Sequence, residues 1–164
     1  MEKEVKQNVE AKGNEKAKKI AIIFIGIQAS GKTTYFHKYF SEYVHINLDT
    51  LHTRNKERLL LEESIRVRKN FAVDNTNPTM RDREKYIRLA KENGYYVHGY
   101  YFQSAISDCM ERNRLREGKA RVPDVALACT HSNLELPQLS EGFDELYYVR
   151  IVDGEFVTEE WDDQ

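Results

Sequence analysis

Five stretches of the chain are apolar almost without interruption, or alternate apolar with polar residues, and charged segments separate them. The first, "KIAIIFIGI" at 19–27, is a continuous β-branched run, the pattern of a strand covered on both faces in a parallel sheet. "YVHINLD" predicts a short second strand ending at Asp49, and "NFAVDNTN" a third, broken by Asn77-Pro78. "YYVHGYYF" and "ELYYVRIV" predict a fourth and a fifth. "DGEFVTE" then turns back as a hairpin around Asp153-Gly154.

Between these runs the apolar spacing lengthens to a helical period. A helix from about Lys32 carries Tyr35, Phe36 and Tyr39 inward, and residues 50–69 set Leu and Ile among charges. Residues 79–93 form a helix closed by Asn93-Gly94. Another helix runs from about Ser104 into an arginine-rich stretch with Leu115 packed, and a short one follows Pro123. Strands alternating with helices predict an α/β, three-layer architecture, with a mostly parallel five-stranded sheet between helices. In such a sheet the aromatics of the fourth strand belong to the core rather than to base stacking.

Composition bounds the picture. A chain of 164 residues is one domain's worth. The expected boundaries are a flexible charged tail over 1–19, the domain over 20–158 and an acidic tail over 159–164, with Trp161 a single anchor or disordered. No apolar run approaches the ~20 residues of a membrane span, and the polar N-terminus lacks a secretory h-region. Cys109 and Cys129 have no metal-ligand spacing and read as reduced thiols of a cytoplasmic protein. Residues 1–132 carry 24 Lys and Arg against 17 Asp and Glu, whereas residues 133–164 carry one Arg against 10 acids, for a net charge of −2. A basic body with an acidic end is compatible with a polyanionic ligand at one face.

The chemistry starts in the turn after the first strand, "GIQASGKT", which spells Gly-x-x-x-x-Gly-Lys-Thr from Gly26 to Thr33. Gly26 allows the sharp turn, Gly31 the close approach of a phosphate, and successive backbone N–H groups meet the positive end of the next helix. Lys32 reaches the β- and γ-phosphates of ATP and the Thr33 hydroxyl suits Mg²⁺. Ala29, Ser30 and Thr34 complete the ATP-binding loop. The expected architecture is that of a P-loop NTPase, adenylate-kinase-like, with a helical lid.

In parallel α/β folds ligands sit beyond the C-terminal strand ends, where two carboxylates fall. Asp74 suits Mg²⁺ or one of its waters. Asp49 suits an acceptor hydroxyl, which it orients or deprotonates. Either carboxylate also fits as the cap of the turn that follows it. In "RNRLREGKARVP", Arg112 and Arg116 are four apart and share a helical face, so both aim at one anion. Gly118 and Pro123 frame a segment able to act as a lid. His37, His45 and His98 have no carboxylate at ligand spacing, and no role follows for them.

"GIQASGKTT", "HINLDTL", "VDNTNPTMRDREKYI", "RNRLREGKARVP" and "LSEGFDEL", in that order, resemble the kinase domain of the 5′-hydroxyl polynucleotide kinases, within the AAA/zeta-toxin-like P-loop kinases. The resemblance runs from about Ile20 to Val152. It implies ATP and Mg²⁺ at Lys32 and Thr33, Asp49 engaging the acceptor hydroxyl, and Arg116 on the donor phosphates with Arg112 nearby. It places Asp74 and Thr76 between metal and acceptor. Where members have an arginine before the acceptor aspartate this chain has Leu48, and where some have another three residues beyond it, His52. Arg54 or Arg58 is then the candidate to hold the acceptor strand.

Three functions follow. The first is an ATP-dependent kinase acting on the 5′-OH end of DNA or RNA. The second is the same chemistry on a small-molecule hydroxyl, a sugar or nucleoside. The third is a nucleotide-binding protein with slow hydrolysis only.

Overall fold

A computed structural model of the chain describes residues 18–162. Most of the charged segment expected as a tail over 1–19 lies outside the described residues. Six strands form one sheet in the order β2-β3-β1-β4-β5-β6, namely β1 (Ile20–Ile25), β2 (Val44–Ile46), β3 (Phe71–Val73), β4 (Tyr96–Phe102), β5 (Glu145–Val152) and β6 (Glu155–Glu160). All pairings are parallel except β5 with β6. The sheet therefore has six strands rather than five, because the return arm of the hairpin pairs along its full length with β5. Asp153 and Gly154 take positive φ (51° and 78°), as a two-residue turn between twisted strands requires.

The order of the sheet explains the burial of β1. Flanked by β3 and β4, it alternates its side chains between two cores. Ala21, Ile23 and Ile25 face a cluster with Leu61, Tyr86, Ile87 and Ala90, whereas Ile22 and Phe24 face Tyr35, Phe36, Phe102 and Val149. Helices α3 (Arg54–Arg66) and α4 (Met80–Glu92) supply the first layer, and α1 (Lys32–Tyr39) the second. Burying each large apolar side chain of β1 contributes about 1.5–3 kcal/mol. Tyr39, expected inward, is half exposed, because Phe40, the next residue, takes the place against Phe24 of β1 while the Tyr39 ring lies against Tyr35. Of the β4 aromatics, Tyr101 and Phe102 are buried, and Tyr100 stacks on Tyr147 and Tyr101 on Tyr148 across the β4–β5 ladder, whereas Tyr96 at the start of the strand is exposed rather than in the core.

Two expectations are corrected at the termini of elements. The second strand stops at Ile46, and Asp49 lies in a short helix, α2 (Leu48–Leu51), because the Asn47 side chain accepts a hydrogen bond from the Thr50 N–H and caps it. The acidic segment from 159 is not a tail throughout. β6 runs to Glu160, and the Trp161 ring meets Tyr101 edge-on at 5.5 Å while the backbone N–H of Trp161 donates to the Leu146 carbonyl. No helix among the described residues is long and apolar enough to cross a membrane.

A third helical layer closes the carboxyl end of the sheet. α5 (Ile106–Arg114) and α6 (Asp124–Asn133) bury Cys109 and Leu127 against Ile27 and Ala29 of the turn after β1. Both cysteines are free, Cys109 buried and Cys129 exposed.

Candidate active site

The turn between β1 and α1 is held from three sides. The Gly26 N–H donates to the Thr76 carbonyl, the Ile27 N–H to Ser104 Oγ, and Asn77 Nδ2 to the Phe24 carbonyl. A Cβ on Gly26 would lie 2.8 Å from Ser30 Oγ and 3.0 Å from Phe102 Cβ. Gly31 has φ 100°, and a Cβ there would press on Phe156 and Ile151 of the β5–β6 hairpin at 3.1 and 3.2 Å. Ala29 is also left-handed (φ 62°), so the turn is wound tightly around its own N–H groups, an anion-binding concavity at a helix N-terminus.

Lys32 is buried inside this turn, its Nζ donating to the Ile27 carbonyl at 2.7 Å and lying 3.4 Å from Ser30 Oγ. Burial is the main influence on its ammonium and lowers its pKa to about 8. Asp74 and Asp49 oppose that shift, and Arg116 adds to it. A phosphate would restore the lost stabilisation of the charge.

Thr33 Oγ1 donates to Asp74 Oδ2 at 2.8 Å. Asp74 follows β3 and is 2% exposed, yet its Oδ1 has no hydrogen-bond partner among the described residues. A buried carboxylate oxygen left without a donor is costly unless something else meets it. Beside a threonine hydroxyl, at the mouth of a phosphate-binding turn, this donor set fits a hard cation with oxygen ligands such as Mg²⁺. Among the described residues no cluster of three or more His, Cys, Asp or Glu could hold a metal alone, so phosphates and waters would complete its shell.

Asp49 is exposed on α2, whose placement depends on the "DNTN" segment. Asn47 Nδ2 donates to the Asp74 carbonyl, and the Leu48 N–H to Asn75 Oδ1. Asn75 Nδ2 in turn donates to Glu57, a carboxylate 3% exposed that also accepts from Tyr86 Oη at 2.5 Å and from Arg54. Burial and the Glu57 carboxylate push the Tyr86 phenol well up, so it remains a donor. The two strand ends are thus tied to each other and to α3 and α4.

Arg54 and Thr76 line a cavity of about 230 Å³ with Pro78, Asp82 and Lys85. Both of its cations face Glu57, at 3.2 and 3.9 Å, so the cavity is close to charge-balanced. Arg58 lies outside that cavity lining and is engaged with Glu62 and Asn55 on the exposed side of α3.

Arg112 and Arg116, expected on one helical face, do not share one helix. Arg112 sits in α5 and its Nε donates to the Ala29 carbonyl at 2.7 Å, whereas Arg116 lies past the helix end, bonded to the Ala120 carbonyl at 3.4 Å. They nonetheless line one cavity of about 290 Å³ with Gly31, Thr34, Ile151 and Phe156. Leu115, expected to pack, is 84% exposed because α5 ends before it. Buried Asn113 closes the base of the 114–121 loop, accepting from the Val122 N–H and donating to its carbonyl.

Sequence reasoning missed three residues. His45 Nε2 lies 2.7 Å from Asp74 Oδ2, a contact between neighbouring strands that spacing along the chain cannot show. Arg83 is fully buried and pairs with Glu141 at 2.8 Å while reaching the carbonyls of Asn77, Pro78 and Glu135. Glu57 was hidden in a charged helix. A signal existed for Arg83 alone, since it falls on the apolar face set by Tyr86, Ile87 and Ala90.

A family model, AAA_33, described as an AAA domain, matches residues 22–137. A protein of Acanthamoeba polyphaga mimivirus named as a bifunctional polynucleotide phosphatase/kinase is 33% identical over 137 residues, 79% of this chain and 32% of its own length. The bifunctional polynucleotide phosphatase/kinase of Schizosaccharomyces pombe is 27% identical over 127 residues, 74% of this chain and 31% of its own. The chain thus spans about a third of the length of these relatives. Among solved structures, the PezAT toxin–antitoxin system of Streptococcus pneumoniae matches with a TM-score of 0.62 and 17% identity over 95% of this chain and 77% of the other. A gluconokinase from Sinorhizobium meliloti 1021 matches with a TM-score of 0.55 and 20% identity, over 79% and 81%. The fold they share is the α/β P-loop kinase fold.

Proposed function

We propose, from the premise that the chain belongs to the AAA-domain family matched by its residues 22–137, that it transfers the γ-phosphate of ATP to a hydroxyl, the 5′-OH end of DNA or RNA. The observation that carries the reaction type is the joining of two strand ends at one phosphate-binding turn. Thr33 and Asp74 meet there, and the charges of Asp49 and Arg116 both act on Lys32. Similarity to two polynucleotide phosphatase/kinases supports the acceptor.

In this reading the turn from Gly26 to Thr34, with Ala29, Ser30 and Gly31, wraps the β- and γ-phosphates. Lys32 neutralises their oxygens from within, and Arg112 and Arg116 do so from the lid side. Thr33 Oγ1 and Asp74 would hold Mg²⁺, which would supply positive charge to offset that of the phosphate oxygens. Asp49 accepts a hydrogen bond from the acceptor hydroxyl and takes its proton as the new P–O bond forms and the bond to the leaving ADP breaks. Arg54 and Thr76 face the acceptor. The expected compartment is the cytoplasm.

A second reading has a specific observation behind it. Arg54 and Lys85 are neutralised by Glu57, and Leu48 stands in place of an arginine, which suits a small uncharged hydroxyl.

Asp49→Asn tests the division of roles. Transfer should fall at least about 100-fold, the scale of a lost catalytic base, with ATP affinity unchanged within about twofold. Equal loss of acceptor-free hydrolysis and of transfer would contradict an acceptor role for Asp49.

A further inference from the structure

His45 is the central residue of β2, an edge strand, and its ring bridges to the end of the neighbouring β3. Its Nε2 lies 2.7 Å from Asp74 Oδ2, the same oxygen that accepts from Thr33 Oγ1. Oδ2 already serves as the acceptor for Thr33 Oγ1, so His45 Nε2 is the donor of this second bond. The other face of the geometry is Asp74 Oδ1, buried and without a partner among the described residues. Two donors on one oxygen and none on the other fix the rotation of the carboxylate and leave Oδ1 presented. The imidazole is held in turn, stacked on Phe36 of α1 with ring centres 3.9 Å apart and 13° between planes. The strand, the carboxylate and the helix that follows the phosphate-binding turn are thereby locked together.

We propose that His45 is a positioning residue, which by its Nε2–H to Asp74 Oδ2 holds Oδ1 toward the place of the cation that accompanies the nucleotide. This rests on the reading of Thr33 and Asp74 as Mg²⁺ holders. Groups that orient a metal-binding carboxylate typically change metal affinity 10–100-fold when removed.

The test separates the ring stack from the donor. His45→Phe keeps the stack on Phe36 and removes the N–H, and His45→Gln supplies an amide donor without the ring. ATP affinity is measured by calorimetry on the full chain, in saturating Mg²⁺ and in EDTA, with Asp74→Asn alongside and a thermal melt of each variant. The proposal expects the Mg²⁺ enhancement of affinity to fall about 10-fold or more in His45→Phe, to recover largely in His45→Gln, and the EDTA affinity to stay within about twofold. An enhancement unchanged in His45→Phe but lost in Asp74→Asn overturns the role of His45 while leaving the metal reading standing. Equal loss in both His45 variants overturns the donor as the cause. Absence of any Mg²⁺ enhancement in the wild type overturns the metal reading, and this proposal with it.

Discussion

Lys32 illustrates how a single residue carries the account. Its ammonium is buried, and its pKa stands at about 8 against 10.5 for an unburied lysine. As pH rises through 8 the free protein loses this charge, and a bound phosphate recovers it by raising the pKa. Affinity for Mg²⁺-free ATP should therefore decline above pH 8, with proton uptake on binding near pH 8.5. Calorimetry in two buffers of different ionisation enthalpy reads that uptake, and Lys32→Ala should abolish it. An affinity independent of pH from 7 to 9.5 would contradict the buried ammonium as a phosphate partner. Lys32, Thr33 and Asp74 were legible in the sequence because a strand, a glycine-bounded turn and a strand-end carboxylate leave signals along the chain. His45 was not, because its partner is 29 residues away on a neighbouring strand and only the parallel register brings them together.

At the scale of elements, the Arg83–Glu141 pair joins α4 to the 3₁₀ turn before β5, and the arginine also satisfies carbonyls of the segment after β3. It therefore fixes the same loop whose Asn75 and Thr76 reach toward Asp49 and the phosphate-binding turn. Removing one partner leaves a buried charge alone, at a cost of about 3–5 kcal/mol. For a chain of this size that lowers the melting temperature by about 10 °C. Thermal melts of Arg83→Ala and Glu141→Ala should each show it, and a shift under about 2 °C would mean the charge finds water instead. The apolar runs revealed the parallel strands of the sheet and their order along the chain. The end of the second strand was misread because β2 leads straight into a capped helical turn, and a side-chain cap at Asn47 overrides the apparent extension to Asp49. Likewise the i, i+4 spacing of Arg112 and Arg116 implied one helix, whereas α5 stops at Arg114 and a turn carries Arg116 to the same cavity.

For the whole molecule, the distribution of charge bears on what the acceptor is. The basic surplus of residues 1–132 would favour a polyanion, yet Arg54 and Lys85, the cations lining the cavity beside Thr76, share the carboxylate of Glu57. A nucleic-acid acceptor should accordingly be held through one or two phosphates. The logarithm of its KM should rise with the logarithm of salt concentration with a slope of about 1, given roughly 0.7 per contact on a single strand. A slope of zero would favour a small uncharged acceptor. The most direct measurement supplies γ-labelled ATP and Mg²⁺ with matched DNA and RNA oligonucleotides bearing either a 5′-OH or a 5′-phosphate, alongside neutral sugars and nucleosides. The account predicts label on the 5′-OH oligonucleotides, none on their 5′-phosphorylated counterparts, and loss of transfer in Lys32→Ala. Label appearing on a sugar or nucleoside, with both oligonucleotides left unlabelled, would contradict it.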